Sequence, residues 1–457
     1  MSSPDDVLAA AAERARSYLD HIDERAVAPT AEALAGLDAF LEDLPDGPCD
    51  PAETLARLDD SGSPATVATA GRRYFGFVIG GSLPVTLAAN WLAGAWDQNA
   101  ALPVMSPVAA RLHEVVTGWL VDLFGLPAGS AAAFVTGAAM ANTSALAAAR
   151  DQQLARVGWD VQTRGLFGAP ELTVVVGESA HSTVIKALGL LGLGRDRVLR
   201  VPSDDQGRIR ADLLPAELDG PVVVCAQAGE VNTGAFDPFP DVIEWARRRD
   251  GWVHVDGAFG LWALADPSRA HLTQGLADAD SWATDGHKWL NVPYDCGITM
   301  VRRPDDLRRS FASVAGYLPP DVGFEAMHHT PQASQRARQI EVWAALRTLG
   351  RQGVADLVRN SCDQAAFIGS KLSQAGLEIV NEVVLNQVLV RAGRDEVTAA
   401  LAQAIQADGT CWCGPTVWKG RAALRISVSS WATTAADAEQ SADAIVAAWR
   451  NLPSSMT

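Results

Sequence analysis

Cysteines are few in this sequence, and none has the spacing of a metal site or a disulfide framework. Six cysteines occur in 457 residues, and no two of them form a C-x-x-C pair. The triplet CWC at 411–413 places two cysteines too close together for a zinc site. We therefore expect buried, reduced thiols.

Basic residues are outnumbered, and long apolar runs are absent. The chain has 37 lysines and arginines against 54 aspartates and glutamates, for a net charge of -17. This balance argues against nucleic acid or an anionic membrane as the main partner, because both require a basic surface. No apolar run reaches membrane-spanning length, and the first residues predict an amphipathic helix instead of a signal peptide. We expect a cytoplasmic protein with no nucleic-acid or membrane partner.

Several familiar catalytic motifs are also missing. There is no G-x-x-x-x-G-K-[ST] phosphate loop and no G-x-S-x-G nucleophile elbow. The glycines of GLLGLG follow a predicted helix and not a strand, so they do not form a dinucleotide fingerprint. HEVVT at 113–117 lacks the second histidine of a zinc protease. The chemistry must therefore be sought in other residues.

Alternating strands and helices are what the sequence does contain. Hydrophobic residues make up 48% of the chain, enough for a large core. Short β-branched runs alternate with helical stretches from about residue 130, and the predicted strands lie within 172–178, 196–202, 220–229, 251–260, 280–287 and 296–303. Continuous apolar strands between helices indicate an α/β domain with a mostly parallel sheet covered by helices on both faces.

The pattern changes near both ends of the chain. We predict an N-terminal helical segment over 1–70, a large domain over 71–330 and a smaller α+β domain over 331–457. A long helix is predicted over 335–353, where it ends at a glycine, with later strands in 384–393 and 422–434. Ligands of such sheets bind at the carboxyl ends of the strands, which is where functional residues are expected.

Four features occur at predicted strand ends or helix starts. They are the small residues at the helix start in FVTGAAMANTSALAAAR, His181, Asp256 and Lys288. Each has an ordinary explanation: close packing, a helix cap, a salt bridge or a surface charge. Together they describe a site for pyridoxal phosphate, which needs a phosphate-binding helix start, a flat group over its ring, an acid at its pyridine nitrogen and a lysine that binds it covalently.

The ordered motifs resemble group II pyridoxal-phosphate-dependent amino-acid decarboxylases, the family of aromatic amino-acid, glutamate and histidine decarboxylases. The matching segments, which cover residues 70–350, are RYFGFV, SPVAARLHEVV, FVTGAAMANTSALAAAR, AHSTVIKA, GAFDPF, WVHVDGAFG, ADSWATDGHKWL and RARQIEVWAALRTLG. The resemblance implies a fold-type-I architecture and a homodimer with its active sites at the subunit interface.

The resemblance also assigns residues. Lys288 matches the lysine that binds the cofactor, Asp256 the partner of the pyridine nitrogen and His181 the histidine stacked on the ring. The remaining matches are Gly137, Ala138 and Ala139 for the phosphate-binding turn, His287 beside the lysine, Ala258 under the ring, and Tyr317 for the tyrosine of the active-site loop. Phe77, Trp96 and Asn99 would line the substrate pocket.

Three positions depart from the family pattern. Asp285-Gly286 replaces the usual Asn-Pro before His-Lys, and a carboxylate beside a phosphate dianion is repelled unless it points away or is protonated. We therefore do not expect Asp285 to be a direct phosphate ligand. Glu230 stands where a hydroxyl residue is common and either lies near the cofactor or faces solvent. His113 replaces the usual glutamate.

The resemblance implies decarboxylation of an L-amino acid to the amine, with Tyr317 or His181 returning a proton to the α-carbon. No cation beyond Arg72 and Arg73 is evident in the segments expected to line the pocket, which favours an aromatic or bulky apolar side chain over glutamate. Aminotransfer, aldol cleavage and decarboxylation coupled to oxidative deamination use the same cofactor and stay open, as does a non-catalytic homologue.

Overall fold

The chain divides into two units, which the computed structural model describes over residues 3–313 and 324–453. The first unit comprises the residues up to Ile79, Phe367–Val380 and the residues from Val388 onward. The second comprises Gly80–Ala366 and Asn381–Gln387. The three-part division at residues 70 and 330 stays a prediction.

Helices and strands follow the order that the sequence pattern predicts. The α-helices of the described residues are α1 (Pro4–Asp20), α2 (Ala31–Gly36), α3 (Pro51–Gly62), α4 (Pro84–Trp96), α5 (Pro107–Leu123), α6 (Ala138–Arg156), α7 (Val161–Arg164), α8 (Ser182–Leu190), α9 (Phe239–Arg247), α10 (Pro304–Phe311), α11 (Gln339–Gln374), α12 (Asp395–Asp408) and α13 (Ala435–Arg450). The strands are β1 (Ala131–Val135), β2 (Thr173–Gly177), β3 (Leu199–Val201), β4 (Val222–Gln227), β5 (Trp252–Asp256), β6 (Ser281–Asp285), β7 (Gly297–Val301), β8 (Glu378–Ile379), β9 (Gln387–Arg391), β10 (Gly414–Trp418) and β11 (Arg421–Ser427).

A seven-stranded sheet of order β1-β7-β6-β5-β4-β2-β3 organises the second unit. The pairs from β6 to β3 are parallel, whereas β7 runs antiparallel to both β1 and β6. Every residue of β4 and β5 is buried, which requires cover on both faces of the sheet. The predicted α/β class with a mostly parallel sheet is confirmed.

This topology brings the predicted site residues to one edge of the sheet. Because β7 is antiparallel to both neighbours, β1 runs in the same direction as β6, β5, β4 and β2. The carboxyl ends of these strands therefore meet at one edge. Gly137, His181, Asp256 and Lys288 all lie at such ends or in the turns that follow them.

The core beneath this edge packs α6 and α8 against the parallel strands. Leu146 of α6 and Leu188 of α8 are buried in one cluster with Val174, Val223 and Trp252 of the sheet. Burying a side chain of this size contributes about 1.5–3 kcal/mol relative to leaving it exposed. The two helices that begin at the site are thus fixed by apolar contacts at their far sides.

The predicted end of the long helix at a glycine is wrong in detail. Helix α11 begins at Gln339 and continues to Gln374, well beyond Gly353. Its break is at Gly350, whose φ of 60° and ψ of -177° interrupt the helix before it resumes. Glycine adopts this left-handed φ without a Cβ clash, so the chain kinks at Gly350 and the helix continues past Gly353.

The first unit combines helices α1–α3, α12 and α13 with a four-stranded sheet of order β10-β11-β9-β8. Pairs β10–β11 and β8–β9 are antiparallel. The smaller α+β part predicted for the C-terminal region is confirmed. Within residues 3–313 and 324–453, no helix has both the length and the apolar character needed to cross a membrane.

Candidate active site

Lys288 lies in the connection between β6 and β7, in a turn made of buried neighbours. The N–H of Gly286 donates to the Cys296 carbonyl at 2.9 Å and closes this connection at its base. Trp289 is 1% exposed, and its indole N–H donates to Ser361 Oγ at 3.2 Å. The Lys288 side chain is 20% exposed, so its ammonium is partly buried. A partly buried ammonium requires an anionic partner.

Asp285, the last residue of β6, is that partner. Its Oδ2 lies 3.0 Å from Lys288 Nζ. Its Oδ1 accepts from the Ala138 N–H at 2.6 Å and lies 3.6 Å from His287 Nε2. A carboxylate at the first N–H of a helix is stabilised by the unpaired amides there. Asp285 thus joins the lysine to the start of α6.

His287 is neutral and oriented by the backbone. The N–H of Cys296 donates to its Nδ1 at 3.1 Å, so the ring proton of the neutral imidazole lies on Nε2, which faces Asp285. Burial is the largest influence on its pKa and lowers it. The ring packs against Tyr294 with centroids 4.3 Å apart. His287 can therefore donate one hydrogen bond at the start of α6.

Asp256 ends β5 and is only 4% exposed. Its Oδ2 accepts from Asn142 Nδ2 at 3.1 Å, and its Oδ1 accepts from the Ala258 N–H at 3.2 Å. Both donors are neutral, so they stabilise the carboxylate without cancelling its charge. A positively charged group beside Asp256 would gain from this uncompensated charge.

His181 is the N-cap residue of α8. Its N–H donates to Gln227 Oε1 at 3.1 Å, and its Nδ1 lies 2.8 Å from Thr183 Oγ1 and 3.3 Å from the Thr183 N–H. The capping explanation considered for this residue is therefore correct. It does not conflict with stacking on a ring, because the capping bonds are made by Nδ1, at the edge of the imidazole.

Close backbone approach around the site depends on two glycines that the motif analysis did not single out. A Cβ on Gly297 would lie 2.4 Å from Gly137 Cα, and a Cβ on Gly80 would lie 2.2 Å from the Lys288 carbonyl. Real Cβ atoms do not come this close, so both positions require glycine. The signal available in the sequence was a glycine directly before the β-branched run of β7.

These residues fit pyridoxal phosphate. They offer a partly buried primary amine, an uncompensated buried carboxylate and a helix start with small residues. Asp285 fits less well, because its carboxylate accepts from the Ala138 N–H. A phosphate bound at the start of α6 would compete for the same donor. The predicted cofactor residues lie within the second unit, and their individual roles stay predictions.

The predicted substrate residues are more dispersed. Asn99 Oδ1 accepts from the N–H groups of Ala101 and Gln335, at 3.0 and 3.3 Å, so its amide supports the backbone. Trp96, at the end of α4, is 45% exposed. Phe77 belongs to the first unit, where its ring lies 5.6 Å from that of Trp412. Their common pocket stays a prediction.

Tyr317 lies outside the described residues, so its assignment stays a prediction. The solvent-facing alternative for Glu230 is wrong, because Glu230 is 3% exposed. Its Oε2 accepts from the N–H groups of Asn232 and Thr233 at 2.7 and 2.8 Å, which stabilises its own turn. Burial raises its pKa.

His113 is buried in an aromatic contact and not in an ion pair. Its ring stacks on Phe324 at 3.7 Å and meets Phe134 edge-on at 5.5 Å. Burial lowers its pKa to about 3, so the ring is neutral. The replacement of the family's glutamate by histidine is thus a packing change at this position.

Two further polar residues at the site were not predicted from the sequence. Asn142 is fully buried on α6, and His254 is fully buried on β5, two residues before Asp256. The available signals were an amide within a run of small residues and a histidine inside an apolar strand. Buried polar groups of this kind require hydrogen-bond partners.

Comparisons with known proteins agree with this geometry. The pyridoxal-dependent decarboxylase conserved domain matches residues 67–392. Aromatic-L-amino-acid decarboxylase from Bacillus atrophaeus is 25% identical over 77% of this chain and 74% of its own length. L-2,4-diaminobutyrate decarboxylase from Rhizobium meliloti (strain 1021) is 29% identical over 75% of this chain and 69% of its own. The structure of Oryza sativa TDC with PLP and tryptamine covers 99% of this chain and 100% of its own, with 21% identity and a TM-score of 0.90.

Proposed function

Because the chain belongs to the pyridoxal-dependent decarboxylase family and is a pyridoxal-phosphate-dependent amino-acid decarboxylase, we propose that it converts an aromatic or bulky apolar L-amino acid to its amine. The named relatives act on side chains of different kinds, aromatic in one case and diaminobutyrate in another. The choice among them must come from the residues of this chain.

We propose distinct tasks for four residues of the second unit. When bound, pyridoxal phosphate supplies an aldehyde carbon for the substrate amine and a ring that accepts the electrons of the broken bond. Lys288 would hold the cofactor covalently through its amine, and Asp285, whose Oδ2 lies 3.0 Å from Nζ, would pair with the ammonium whenever that amine is free. The charge of Asp256 would favour a protonated ring nitrogen, and His181 would pack against the ring.

The proposal of an aromatic or apolar substrate depends on one observation. The two candidate cations, Arg72 and Arg73, already bind other groups of the protein. Arg72 Nε lies 2.8 Å from Asp23 Oδ2, and Arg73 donates to the carbonyls of Thr410 and Asp23 at 2.8 and 3.0 Å. Arg73 also lies 3.4 Å from Asp437 Oδ1. An acidic substrate side chain would have to break these contacts, whereas an apolar one needs no cation.

We also propose a homodimer. Large apolar side chains are exposed along α4 and the segment after it, at Trp91, Leu92, Trp96, Val104 and Met105. Large contiguous patches of exposed apolar residues often mark protein–protein interaction surfaces. Sedimentation at low micromolar concentration should give twice the chain mass, and a fully active monomer would contradict the proposal.

An amino-acid panel tests the proposed reaction. The purified holoenzyme should release carbon dioxide and amine from tryptophan, tyrosine, phenylalanine or leucine faster than from glutamate, cysteine sulfinate or 2,4-diaminobutyrate. Scoring carbon dioxide, amine, aldehyde and keto acid together separates decarboxylation from aminotransfer, aldol cleavage and oxidative deamination. Preferred turnover of an acidic or diamino substrate would overturn the substrate class, and Lys288→Ala supplies the background.

A further inference from the structure

Asn142 occupies a central place behind the site. It lies in the second turn of α6 and is 0% exposed. Its Nδ2 lies 3.1 Å from Asp256 Oδ2 and 3.3 Å from Thr183 Oγ1, and its Oδ1 lies 2.9 Å from His254 Nε2. An ionised carboxylate only accepts hydrogen bonds, so the amide nitrogen must face Asp256. The orientation of the amide is therefore fixed.

That orientation sets the direction of every bond behind Asn142. Since Asn142 Oδ1 accepts, His254 carries its proton on Nε2 and accepts at Nδ1 from Ser281 Oγ, 2.9 Å away. Ser281 Oγ in turn accepts from the Trp252 indole N–H at 2.9 Å. Each donor in the series points towards Asp256, so the bond dipoles add in the sense that favours its negative charge.

A second arm runs from Asn142 to His181. Thr183 Oγ1 accepts from Asn142 Nδ2, which leaves its hydroxyl proton for His181 Nδ1 at 2.8 Å. The Thr183 N–H also donates to His181 Nδ1, at 3.3 Å. The ring proton of neutral His181 therefore lies on Nε2. One amide group thus links the residue proposed to bind the ring nitrogen and the residue proposed to stack on the ring.

We propose that Asn142 is a positioning residue that orients the Asp256 carboxylate and fixes the tautomer of His181, and that the Trp252–Ser281–His254 series supports it. The proposal rests on the proposed cofactor site. Asn142, His254 and Ser281 are buried polar residues. In a purely apolar core, leucine or valine at these positions would pack without the cost of burying polar groups. Their arrangement gains its value when Asp256 must stay charged without a protein cation.

The test measures cofactor binding and spectra, independently of turnover. Asn142→Ala should weaken pyridoxal phosphate binding about tenfold to hundredfold, as expected for losing a hydrogen bond to a charged group. It should also move the pH midpoint of the bound cofactor's absorbance. Ser144→Ala is the matched control, because it removes a different buried polar group from α6, where Ser144 bonds only to the helix carbonyl of Met140 in the described contacts.

A double-mutant cycle separates positioning from general structural damage. If Asn142 acts through Asp256, Asn142→Ala in the Asp256→Asn background should weaken cofactor binding by less than about twofold. The pH midpoint of the absorbance should then be unchanged. The same loss in both backgrounds, or equal behaviour of Asn142→Ala and Ser144→Ala, would overturn the proposal. Borohydride labelling of Lys288 in the wild-type protein reports separately whether the proposed cofactor site exists.

Ser281→Ala keeps the proposal testable if Asn142→Ala does not fold. It removes one hydroxyl two bonds away from Asn142 in the series and should shift the absorbance midpoint in the same direction as Asn142→Ala, with about threefold weaker cofactor binding. An unchanged spectrum and affinity in Ser281→Ala would show that the series does not act on Asp256.

Discussion

Asp256 and Asp285 end two neighbouring parallel strands, and both are almost completely buried, at 4% and 2% exposed. Their surroundings differ in charge. Asp285 contacts the Lys288 ammonium and the Ala138 N–H, so a cation within the protein compensates its charge. Asp256 is bonded by the neutral Asn142 amide and the Ala258 N–H. Among residues 3–313 and 324–453, Asp285 thus has a cationic partner and Asp256 has neutral ones.

The difference shows that one edge of the sheet can provide two carboxylates with different roles in ligand binding. A compensated carboxylate can hold and release a lysine with little change in local charge. An uncompensated carboxylate gains most when a cation enters from outside, which is what a protonated pyridine nitrogen provides.

The largest expected effect is the loss of Lys288, the cation on the Asp285 side. Lys288→Ala should abolish the borohydride-fixed cofactor adduct and reduce turnover to background, because it removes the amine proposed to bind the cofactor covalently. Intact-mass analysis and peptide mapping after reduction measure the adduct. Lys186→Ala, which removes an exposed lysine of α8, is the control and should keep both. A label on another lysine would show the assignment to be wrong.

Asp256→Asn should have the next largest effect, because it keeps the shape and removes the uncompensated charge. Losing one partner of a buried charge-assisted pair costs about 3–5 kcal/mol. If most of this appears in the barrier, kcat falls by about 100-fold to 1000-fold. Steady-state kinetics at saturating cofactor measure it. Near-normal turnover would rule out the ring-nitrogen role.

The two aspartates also show what the sequence could and could not predict. Asp256 and Lys288 stood at the end of an apolar strand and within an ordered set of motifs, so their importance was evident from sequence spacing. The pairing of Asp285 with Ala138 was not, because those residues are 147 positions apart and their contact depends on β1 and β6 running in the same direction. Long-range register of this kind leaves no local signal.

The strand order was similarly only partly predictable. Apolar runs between helices predicted the parallel strands, because burial on both faces selects continuous β-branched residues. The antiparallel insertion of β7 between β1 and β6 could not be deduced, since its sequence is as apolar as that of its neighbours. Asn142 was missed for a related reason: its value depends on His254 and Asp256, which lie more than 100 positions away.

Neither aspartate is expected to return a proton to the α-carbon, and Tyr317 is proposed for that step. Tyr317→Phe keeps the ring and removes the acidic proton, so amine release should slow about 100-fold, at the lower end of general-acid contributions. The electron-rich α-carbon then persists and reacts with oxygen, which raises the share of aldehyde, ammonia and peroxide. Product analysis under air and under nitrogen measures this share. An unchanged product ratio would exclude Tyr317 as the acid.

Asp285→Asn should affect stability more than turnover, the reverse of Asp256→Asn. It removes the charge that pairs with Lys288 and leaves an amide oxygen for the Ala138 N–H. We expect the cofactor-free protein to lose about 1.5–3 kcal/mol of unfolding free energy, typical of a hydrogen bond to a charged group. Denaturant titration measures this loss. Asp241→Asn, at the exposed start of α9, is the control, and a larger fall in kcat than for Asp256→Asn would refute the comparison.

The smallest expected effect concerns acid and the neutral histidine on the Asp256 side. Burial lowers the pKa of His254 to about 3, whereas an unfolded histidine has a pKa of about 6.5. Between these values the unfolded chain binds the extra proton, so the stabilisation is complete above about pH 6.5 and is lost as pH falls towards 3. The loss from His254 alone is about 1.4 kcal/mol for each pH unit in this window.

His254→Gln should therefore flatten the pH dependence of the unfolding free energy between pH 6 and pH 5. The number of protons taken up on unfolding should fall by about one. His21→Gln, which removes an exposed histidine at the end of α1, is the matched control. An equal slope in wild type and His254→Gln would mean that His254 is not held neutral and that the donor series cannot point towards Asp256.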